Sequence, residues 1–434
     1  MFDTIRNIAA ELQKQMLPFS QKLIQCPSFG GEEGGVAELL MEEMRALGYD
    51  EVFSDKYGNV VGIIRGDEPG PNIMYNSHMD VVSPGEREKW GAFDPFGGEI
   101  TTMLTAKVNP AEQEEVPVLM GRGGADMKAN IASHVYAGAL LNELRKRHGY
   151  TMRGDFVVAS VVYEETGEML GMIKLMDETF PERGITVHAN ICGEPSSLRL
   201  SLGHRGRVEL VFRVNGVAGH GSTPWLGVNA INKAMKLVTE FEKAMDAEQK
   251  TDPDLGSTSY ALCYIDCEPG GNATVPDICN LQYDIRITPQ ESPDEILARA
   301  QKVVDRLAAE DKDFRAVAAI RETERKMYTG SSVRIKNCKD AFKLDKKHPL
   351  AQECAAALQA LGHDSDFFYW SFGTDAPVAH VLHKVASIGY SGTQEVYCHT
   401  PLERVRLDWL EKSLAANTAI YLKLTALNTE DLAL

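Results

Sequence analysis

The fold is decided by residues 73–82, Ile-Met-Tyr-Asn-Ser-His-Met-Asp-Val-Val, where a short apolar run stops at a histidine and a carboxylate. Residues two apart leave an extended chain on the same side, so Asp80 can fix the ring and the tautomer of His78. This spacing indicates a metal ligand with its orienting partner. The alternative is a surface histidine at the end of a strand.

The same pattern recurs along the chain, where an apolar run predicted as a strand is followed by a side chain that can bind a metal. These runs and side chains are Val116–Met120 with Asp126, Phe156–Tyr163 with Glu164 and Glu165, Val187–Cys192 with Glu194, and Val385–Tyr390, whose loop reaches His399. The repetition favours one metal site over several unrelated strand ends.

Two of these positions have an ordinary structural interpretation when each is taken alone. Asp126 stands on a Gly-rich turn from strand to helix, where it could instead cap the helix. Glu164 and Glu165 could form a solvated acidic turn. An extended chain points adjacent side chains to opposite sides, so one glutamate can bind a metal while its neighbour reaches the water beside it.

Alternating apolar strands and helical stretches predict an α/β fold with a doubly wound, mostly parallel sheet and helices on both faces. In such sheets ligands bind beyond the carboxyl ends of the strands. We expect the candidate ligands to meet at one edge of one sheet. Two histidines and several carboxylates fit a divalent ion such as zinc, with cobalt or manganese as alternatives.

Length and charge limit the number of domains and the class of partner. A chain of 434 residues exceeds the usual size of one core, and its net charge of −17 disfavours nucleic acid and anionic membranes. Residues 1–6 lack a basic start followed by an apolar segment, and no apolar run approaches the ~18 residues of a membrane span. We therefore expect a cytoplasmic protein.

Residues 205–325 follow a different pattern from the rest of the chain. The predicted order is strand Arg207–Asn215, helix Leu226–Met245, strands Ser259–Asp266 and Ile278–Ile287, helix Ser292–Glu310 and strand Phe314–Ile320. This is a split β-α-β-β-α-β unit, inserted as a lid between residues 1–204 and 326–434 of the catalytic part. Its open edge strand predicts pairing with a second copy, and hence a homodimer.

The motifs resemble those of the dinuclear zinc amidohydrolases and metallopeptidases, which include aminoacylase, acetylornithine deacetylase, succinyl-diaminopimelate desuccinylase and carboxypeptidase G. The resemblance covers nearly the whole chain. The motifs are S-H-M-D-V-V at 77–82, G-R-G-G-A-D-M-K at 121–128, Y-E-E-T-G-E at 163–168, G-E-P at 193–195, G-H-G-S-T-P at 219–224 and H-T-P-L-E at 399–403. Residues 203–207 and 371–375 look most like a subgroup associated with selenium metabolism.

The resemblance implies a role for each candidate residue of the metal site. It implies His78 and Glu194 on one metal, Glu165 and His399 on the other, Asp126 bridging both, Asp80 behind His78 and Glu164 as general base. The implied fold is a zinc-peptidase-like catalytic domain with a ferredoxin-like lid that also forms the dimer.

Three further residues acquire expected roles from the resemblance. His220 is expected to reach the active site of the partner subunit and donate a hydrogen bond to the oxyanion. Arg286, in Asp-Ile-Arg at 284–286, is expected to bind a substrate carboxylate, with a salt bridge to Asp284 as the alternative. The family often has Asn-x-x-Pro before the second lid strand; Ala273 stands at the Asn position, and Asn272 is expected to take over its role by a shift of one residue.

These features predict hydrolysis of an amide in an N-acyl amino acid or small peptide by metal-activated water. A pair of divalent ions lowers the pKa of water and polarises the carbonyl, and Glu164 would transfer the proton to the leaving amine. An N-carbamoyl substrate is an alternative within the same chemistry. The rival from another class is a non-catalytic, metal-bound binding protein, which the presence of Glu164 disfavours because this residue binds no metal in the scheme.

Overall fold

The computed structural model describes residues 1–270 and 273–434, and its largest element is an eight-stranded sheet. The four central strands run parallel, and the next strand on either side is antiparallel to them. In spatial order the strands are Glu51–Ser54, Val60–Ile64, Phe156–Val161, Ile73–His78, Ala189–Cys192, Ser387–Gly389, Leu200–Ser201 and Phe367–Phe368.

Helices cover both faces of this main sheet. Along one central strand, Phe156 and Val158 belong to one hydrophobic core, whereas Val157 and Ala159 belong to another on the opposite face. Strands buried on both faces are typical of doubly wound α/β folds, because helices crossing between parallel strands cover each side. The predicted fold class is confirmed.

The helices of this part differ in length between the two faces. Phe2–Gln25, Gly34–Ala46, Lys128–His148, Pro349–Ala360 and Leu407–Leu424 pack on one face, with Leu170–Lys174 and Phe180–Arg183 on the other. Shorter helical turns span Arg87–Trp90, Leu175–Thr179, Pro224–Leu226, Val378–Leu382, Glu395–Tyr397 and Thr429–Leu432. No helix in the described residues is both long and apolar enough to cross a membrane.

The strand that leads to Asp126 lies outside the main sheet. Our expectation that Val116–Met120 belongs to that sheet is wrong, because Gln113–Met120 is the middle strand of a separate sheet with Ile100–Ala106 and Arg404–Arg406. Its first residues alternate between exposed and half-exposed, as in an antiparallel sheet with one solvated face. An apolar run alone does not reveal which strand it pairs with. Because Gln113–Met120 pairs outside the main sheet, Asp126 reaches the site from a second sheet.

The inserted segment forms a small antiparallel sheet with two helices on one face. Its strands, in spatial order, are Ser259–Glu268, Ile278–Ile287, Gly206–Asn215 and Arg315–Ile320, and its helices are Ala230–Ala247 and Pro293–Glu310. The first helix is capped by Asn229, and the second by a capping box of Ser292 and Glu295. The predicted β-α-β-β-α-β order is confirmed.

The chain returns to the small sheet once more after residue 325. The remaining paired strands are Glu322–Lys326 with Ser332–Lys336, Cys338–Lys339 with Gly206–Asn215, Phe342–Lys343 with Gly203–His204, Gly219–His220 with Thr274–Val275, and Thr251–Asp252 with Gly256–Ser257. Between the first two of these strands, Tyr328 contacts the catalytic part by donating its hydroxyl hydrogen to the carbonyl of Gly58 at 2.9 Å. The residues after 325 therefore contact both the small sheet and the catalytic part.

Candidate metal centre and active site

Neighbouring strands of the main sheet present most of the candidate ligands side by side. His78 ends a central strand whose parallel neighbour on one side leads to Glu164 and Glu165, while the neighbour on the other side leads to Glu194. Asp126 arrives from the three-stranded sheet. The carboxyl ends of parallel strands meet at one edge, which explains how residues distant in sequence converge.

The side chains form two groups that share Asp126. His78, Asp126 and Glu194 make the first group, with His78 Nε2 3.1 Å from Asp126 Oδ1 and 3.7 Å from Glu194 Oε1. Asp126, Glu165 and His399 make the second, with His399 Nε2 3.2 Å from Asp126 Oδ2 and 3.0 Å from Glu165 Oε2. Within each group the ligand atoms lie within 4.8 Å of one another, as metal binding requires.

Asp80 supports this arrangement through two connections. The Nδ1 atom of His78 lies 2.9 Å from the carbonyl oxygen of Asp80 and 3.5 Å from its carboxylate. The same carboxylate accepts hydrogen bonds from the backbone N–H groups of Glu164 and Glu165, each at 3.0 Å. Asp80 therefore fixes the turn that presents both glutamates as well as the side of the imidazole away from the cavity.

The electrostatics of the cluster favour a bound cation. Burial and the charge of Asp126 raise the pKa of Glu165 to about 7 and raise that of Glu194 well above its ordinary value. Hydrogen bonds to Asp126 and Glu165 raise the pKa of His399 to about 10. Buried carboxylates this close repel one another unless protons or cations intervene. Imidazole and carboxylate donors fit divalent ions such as zinc.

Glu403 holds the turn that carries Asp126, a role that the sequence did not reveal although Glu403 lies in the H-T-P-L-E motif. Its carboxylate accepts hydrogen bonds from the backbone N–H groups of Gly123, Ala125 and Asp126, at 3.1, 2.8 and 3.0 Å. Arg122 forms a buried ion pair with it. Four donors on one buried carboxylate fix the position of the shared ligand.

The cluster opens into a cavity of about 430 Å³ that both parts of the chain line. The catalytic part contributes mostly acids, and the small sheet and the strand after it contribute cations. The lining residues are Asp126, Glu164, Glu165, Glu168, Glu194, Phe372, Gly373, Glu395, Cys398 and His399 from the catalytic part, and Arg207, Arg286 and Lys339 from the small sheet.

Those three cations form one row across adjacent strands. Arg207 lies opposite Arg286 on one neighbouring strand and opposite Lys339 on the other. Paired residues of antiparallel strands project on the same face of a sheet, so the register alone places the three side chains together. Arg207 lies in the stretch 203–207, but the sequence assigned it no role, and nothing in the sequence marks Lys339, whose strand has only two residues.

Lys339 pairs with the candidate general base. Its ammonium donates a hydrogen bond to Oε1 of Glu164, and both side chains are buried. A buried ion pair costs desolvation of both charges, and removing one partner leaves the other charge uncompensated. Lys339 is therefore the side chain that fixes Glu164 from the side of the small sheet.

Arg207 and Arg286 differ in how fully they are paired. Arg207 donates to Glu168 at 2.7 Å, to Asp284 at 2.7 Å and to Glu209 at 2.5 Å, which occupies each nitrogen of its guanidinium. Arg286 is paired with Asp284 alone, through Nε at 2.7 Å and Nη2 at 3.4 Å. Its Nη1 has no partner within the residues that the structure describes, so Arg286 keeps a donor for another group.

Of the residues predicted to contact the substrate or its oxyanion, Arg286 lines the cavity of its own chain and His220 does not. Arg286 lines the cavity and also makes the salt bridge to Asp284 that was its alternative role. His220 is exposed, and its Nδ1 accepts hydrogen bonds from the N–H of Ser222 at 3.1 Å and from its hydroxyl at 2.7 Å. It does not line the cavity of its own chain. Asn272 lies outside the described residues.

Comparison with known proteins supports the family resemblance of the sequence motifs. The family described as "Peptidase dimerisation domain" matches residues 202–312. The Escherichia coli protein YgeY is 27% identical over 423 residues, which is 96% of each chain. Succinyl-diaminopimelate desuccinylase of Thioalkalivibrio sulfidiphilus is 27% identical over 295 residues, covering 67% of this chain and 72% of its own.

A solved structure shares the overall fold at lower identity. Aminopeptidase PepT from Bacillus cereus superposes with a TM-score of 0.68 and 19% sequence identity, covering 95% of this chain and 98% of its own. The likeness therefore extends over the main sheet and the inserted sheet together. It supports the two-part architecture and leaves the substrate to be argued from the site.

Proposed function

We propose that this chain, which belongs to the family of dinuclear amidohydrolases and metallopeptidases, hydrolyses an amide bond in an N-acyl amino acid or a small peptide. The observation that carries the proposal is the pair of ligand groups sharing Asp126, with the carboxylate of Glu164 beside them in neither group. A site that only stores metal has no need of this additional acid.

In this proposal the chain binds two divalent ions, most simply zinc, with cobalt or manganese as the alternatives. His78 and Glu194 would bind one ion, Glu165 and His399 the other, and Asp126 both. When bound, such a pair supplies a lowered pKa for water and polarisation of the scissile carbonyl. The raised pKa of His399, about 10, means that ion binding displaces a proton from this residue.

The remaining steps belong to the side chains of the protein. Glu164 takes a proton from the attacking water and delivers it to the leaving amine. The hydrogen bond from Lys339 holds the carboxylate of Glu164 beside the ligand groups. Arg286 binds the carboxylate of the amino-acid part through the donor that Asp284 leaves free. Asn272 is proposed as a second contact to the substrate.

The proposal includes a homodimer formed through the inserted domain. Support comes from the match to a dimerisation domain and from the edge strand Ser259–Glu268, which leaves Leu262, Tyr264 and Ile265 exposed. In the dimer His220 would act in the site of the partner subunit, as a donor to the oxyanion. Its exposure and its absence from the cavity of its own chain agree with this role.

We also propose that residues 205–325 move as a lid relative to residues 1–204 and 326–434, in a protein of the cytoplasm. The cation row lies on the small sheet and the metal ligands lie on the catalytic part, so closure would bring Arg286 towards the ions. Lys339 lies outside residues 205–325, but its strand pairs with Gly206–Asn215, so its ion pair with Glu164 would limit how far the small sheet moves away from the acids.

The test is a panel of N-acyl amino acids, N-carbamoyl amino acids and dipeptides, assayed with zinc, cobalt or manganese after chelation. We expect turnover that is lost on chelation and restored by the metal. Glu164→Gln should keep about two ions per chain and lose about 10²–10⁴-fold in kcat. Glu395→Gln, which changes another acid of the same cavity, is the control and should retain activity. Full activity of Glu164→Gln would refute the assignment.

A further inference from the structure

A glycine-rich loop contacts the segments that carry the metal ligands and has no role in the steps proposed above. Residues 26–33, Cys-Pro-Ser-Phe-Gly-Gly-Glu-Glu, join the helices Phe2–Gln25 and Gly34–Ala46. None of these loop residues lines the metal cavity. Any effect of the loop on the reaction therefore has to pass through the residues that it contacts.

Ser28 joins this loop to the segment that follows His78. Its hydroxyl donates a hydrogen bond to the carbonyl of Met79 at 2.7 Å, and its own carbonyl accepts one from the N–H of Val81 at 2.9 Å. Met79 and Val81 flank Asp80, the residue behind His78. The side chain of Ser28 is buried, and hydrogen bonds in such an interior are stronger than in water. The loop is therefore fixed to the first ligand segment.

A buried lysine joins the loop to the helix that follows Asp126. Lys128 is the first residue of the helix Lys128–His148, and its ammonium donates a hydrogen bond to the carbonyl of Cys26 at 2.7 Å. Burial of an ammonium without a partner is strongly unfavourable, so this bond holds the start of the helix against the loop. The loop thus contacts a second ligand segment.

Glu33 joins the loop to the turn that carries Glu164 and Glu165. It is buried, and its Oε1 accepts a hydrogen bond from the N–H of Tyr163 at 3.2 Å. The next two N–H groups, those of Glu164 and Glu165, donate to the carboxylate of Asp80 at 3.0 Å each. Two buried carboxylates therefore bind three consecutive N–H groups of this turn. Removal of Glu33 would leave the N–H of Tyr163 without its acceptor.

Tyr163 has a backbone conformation that needs this support. Its φ is 56°, in the left-handed region that bulky residues rarely adopt and that persists only where the surroundings hold it. Its hydroxyl donates to the carbonyl of Lys326 at 2.8 Å, and Oε2 of Glu33 accepts from the N–H of Gly31 at 2.9 Å. A Cβ atom at Gly30 or Gly31 would lie 2.8 Å or less from the Tyr163 side chain, so both glycines let the loop approach it.

We propose that Glu33 is a positioning residue for the metal centre, which holds Tyr163 in its left-handed conformation and so directs Glu164 and Glu165 into the cavity. Glu33 acts through the backbone of the turn, since its own side chain does not line the cavity. The part of this inference that concerns Glu164 rests on the proposed amide hydrolysis. The part that concerns Glu165 requires only that the chain binds metal.

The test is the stepwise affinity of the metal-free protein for Zn²⁺, measured by competition with a chromophoric chelator. In Glu33→Ala we expect one of the two steps to weaken about 10- to 100-fold, the usual effect of removing a group that supports a metal ligand. That step is the ion of Asp126, Glu165 and His399. In His399→Ala, which keeps the other ion, the further change Glu33→Ala should alter the affinity less than about twofold, since the remaining ligands do not follow Tyr163.

Turnover separates this role from a purely structural one. For a substrate that the wild type cleaves, Glu33→Ala should lower kcat about 10- to 100-fold and change KM less than about twofold, because Glu164 is displaced while Arg286 is not. Glu33→Asp keeps the charge, shortens the side chain by one methylene and should cause a smaller loss; it decides the question if Glu33→Ala does not fold. Wild-type kcat and wild-type Zn²⁺ affinities in the variant that folds would overturn the proposal, even if its urea midpoint is lower.

Asp155→Ala is the matched control, because Asp155 lies at the opposite end of the strand Phe156–Val161 that leads to Glu164. Its carboxylate also accepts a backbone hydrogen bond, from the N–H of Gly66 at 3.0 Å. Both Zn²⁺ affinities and kcat should match wild type, and equal weakening in Asp155→Ala and Glu33→Ala would overturn the proposal. If the wild-type protein cleaves no substrate of the panel, amide hydrolysis fails, and the Zn²⁺ affinities alone decide the role of Glu33. A wild-type protein that binds no Zn²⁺ would overturn that role as well.

Discussion

The catalytic part and the small sheet present opposite charges to the same cavity. The catalytic part supplies Asp126, Glu165 and Glu194, and the small sheet supplies its three cations in one row. The acids come from loops beyond strand ends, where the backbone can bring them close together. The cations lie within strands, at positions fixed by register. The catalytic part thus brings several acidic side chains together as candidate metal ligands, whereas the small sheet places cations opposite those acids.

This difference explains why Glu164 and Lys339 are paired across the two regions. Without ions, the buried acids of the cluster repel one another, and a cation from the opposite region reduces that repulsion. We expect this pairing to link the state of the metal site to the position of the small sheet. The comparison therefore predicts unequal effects, large for the shared acid of the cluster and smaller for single members of the cation row.

Removal of the shared acid should have the largest effect. Asp126→Ala should lower the metal content from about two ions per chain to nearly none and abolish turnover, because one carboxylate serves both ligand groups. His399→Ala should retain the ion of the other group. The measurement is metal analysis of the purified proteins together with turnover. Two tightly bound ions in Asp126→Ala would show that the groups are independent.

Much of the fold and of the acid region could be predicted because local signals mark them. The helix predicted at Ser292–Glu310 begins at Pro293 with Ser292 as its cap, and the strand Ile278–Ile287 has the predicted bounds. Capping residues and alternating apolar positions act over a few residues, so they are visible in the sequence. Each candidate ligand likewise follows an apolar run.

The remainder depends on pairing between distant segments. Val116–Met120 is apolar enough for the main sheet, yet it pairs with Arg404–Arg406 in another one. Lys339 joins the cation row only because its short strand pairs beside Arg207. Register is set by tertiary packing and by turn geometry, and a single sequence carries little of that information. The hydrogen bonds that Glu403 makes to the Asp126 turn were hidden for the same reason.

The second prediction tests whether His220 acts in the active site of its own subunit or in that of the partner subunit. His220→Ala should lose about 10²–10³-fold in kcat, the usual effect of removing one oxyanion donor. Mixing it with the inactive Glu164→Gln chain should restore about a quarter of wild-type activity, since half of the dimers are mixed and each has one intact site. The measurement is activity after confirmed subunit exchange. No recovery would exclude action between subunits.

The third prediction concerns the contact between the two regions. Lys339→Met should lower kcat about tenfold or more, because Glu164 loses a charged hydrogen bond that fixes it. In the protein freed of metal, the free energy of unfolding should fall by about 3–5 kcal/mol, since a buried carboxylate is left unpaired. Urea titration and steady-state kinetics measure the two effects.

Lys336 provides the control for this change. It lies on the preceding strand, and its distant pair with Asp294 is solvent-exposed. Lys336→Met should leave kcat unchanged and alter stability by less than about 1 kcal/mol. If Lys339→Met behaves in the same way, the cation row does not fix the general base.

The smallest effect is expected at Arg286, because Asp284 already holds two of its nitrogens. Arg286→Met should raise KM about tenfold for substrates with a free carboxylate on the amino-acid side, with little change in kcat, because one charged hydrogen bond is lost in binding. The same substrates with that carboxylate blocked as an amide should be bound equally by both proteins. Arg213 is an exposed arginine on Gly206–Asn215, the strand next to that of Arg286, and it does not line the cavity. Arg213→Met is the control and should match wild type. A rise in KM for free and blocked substrates alike would mean that the salt bridge to Asp284 is structural, and the cation row would then serve only to hold the small sheet against the acids.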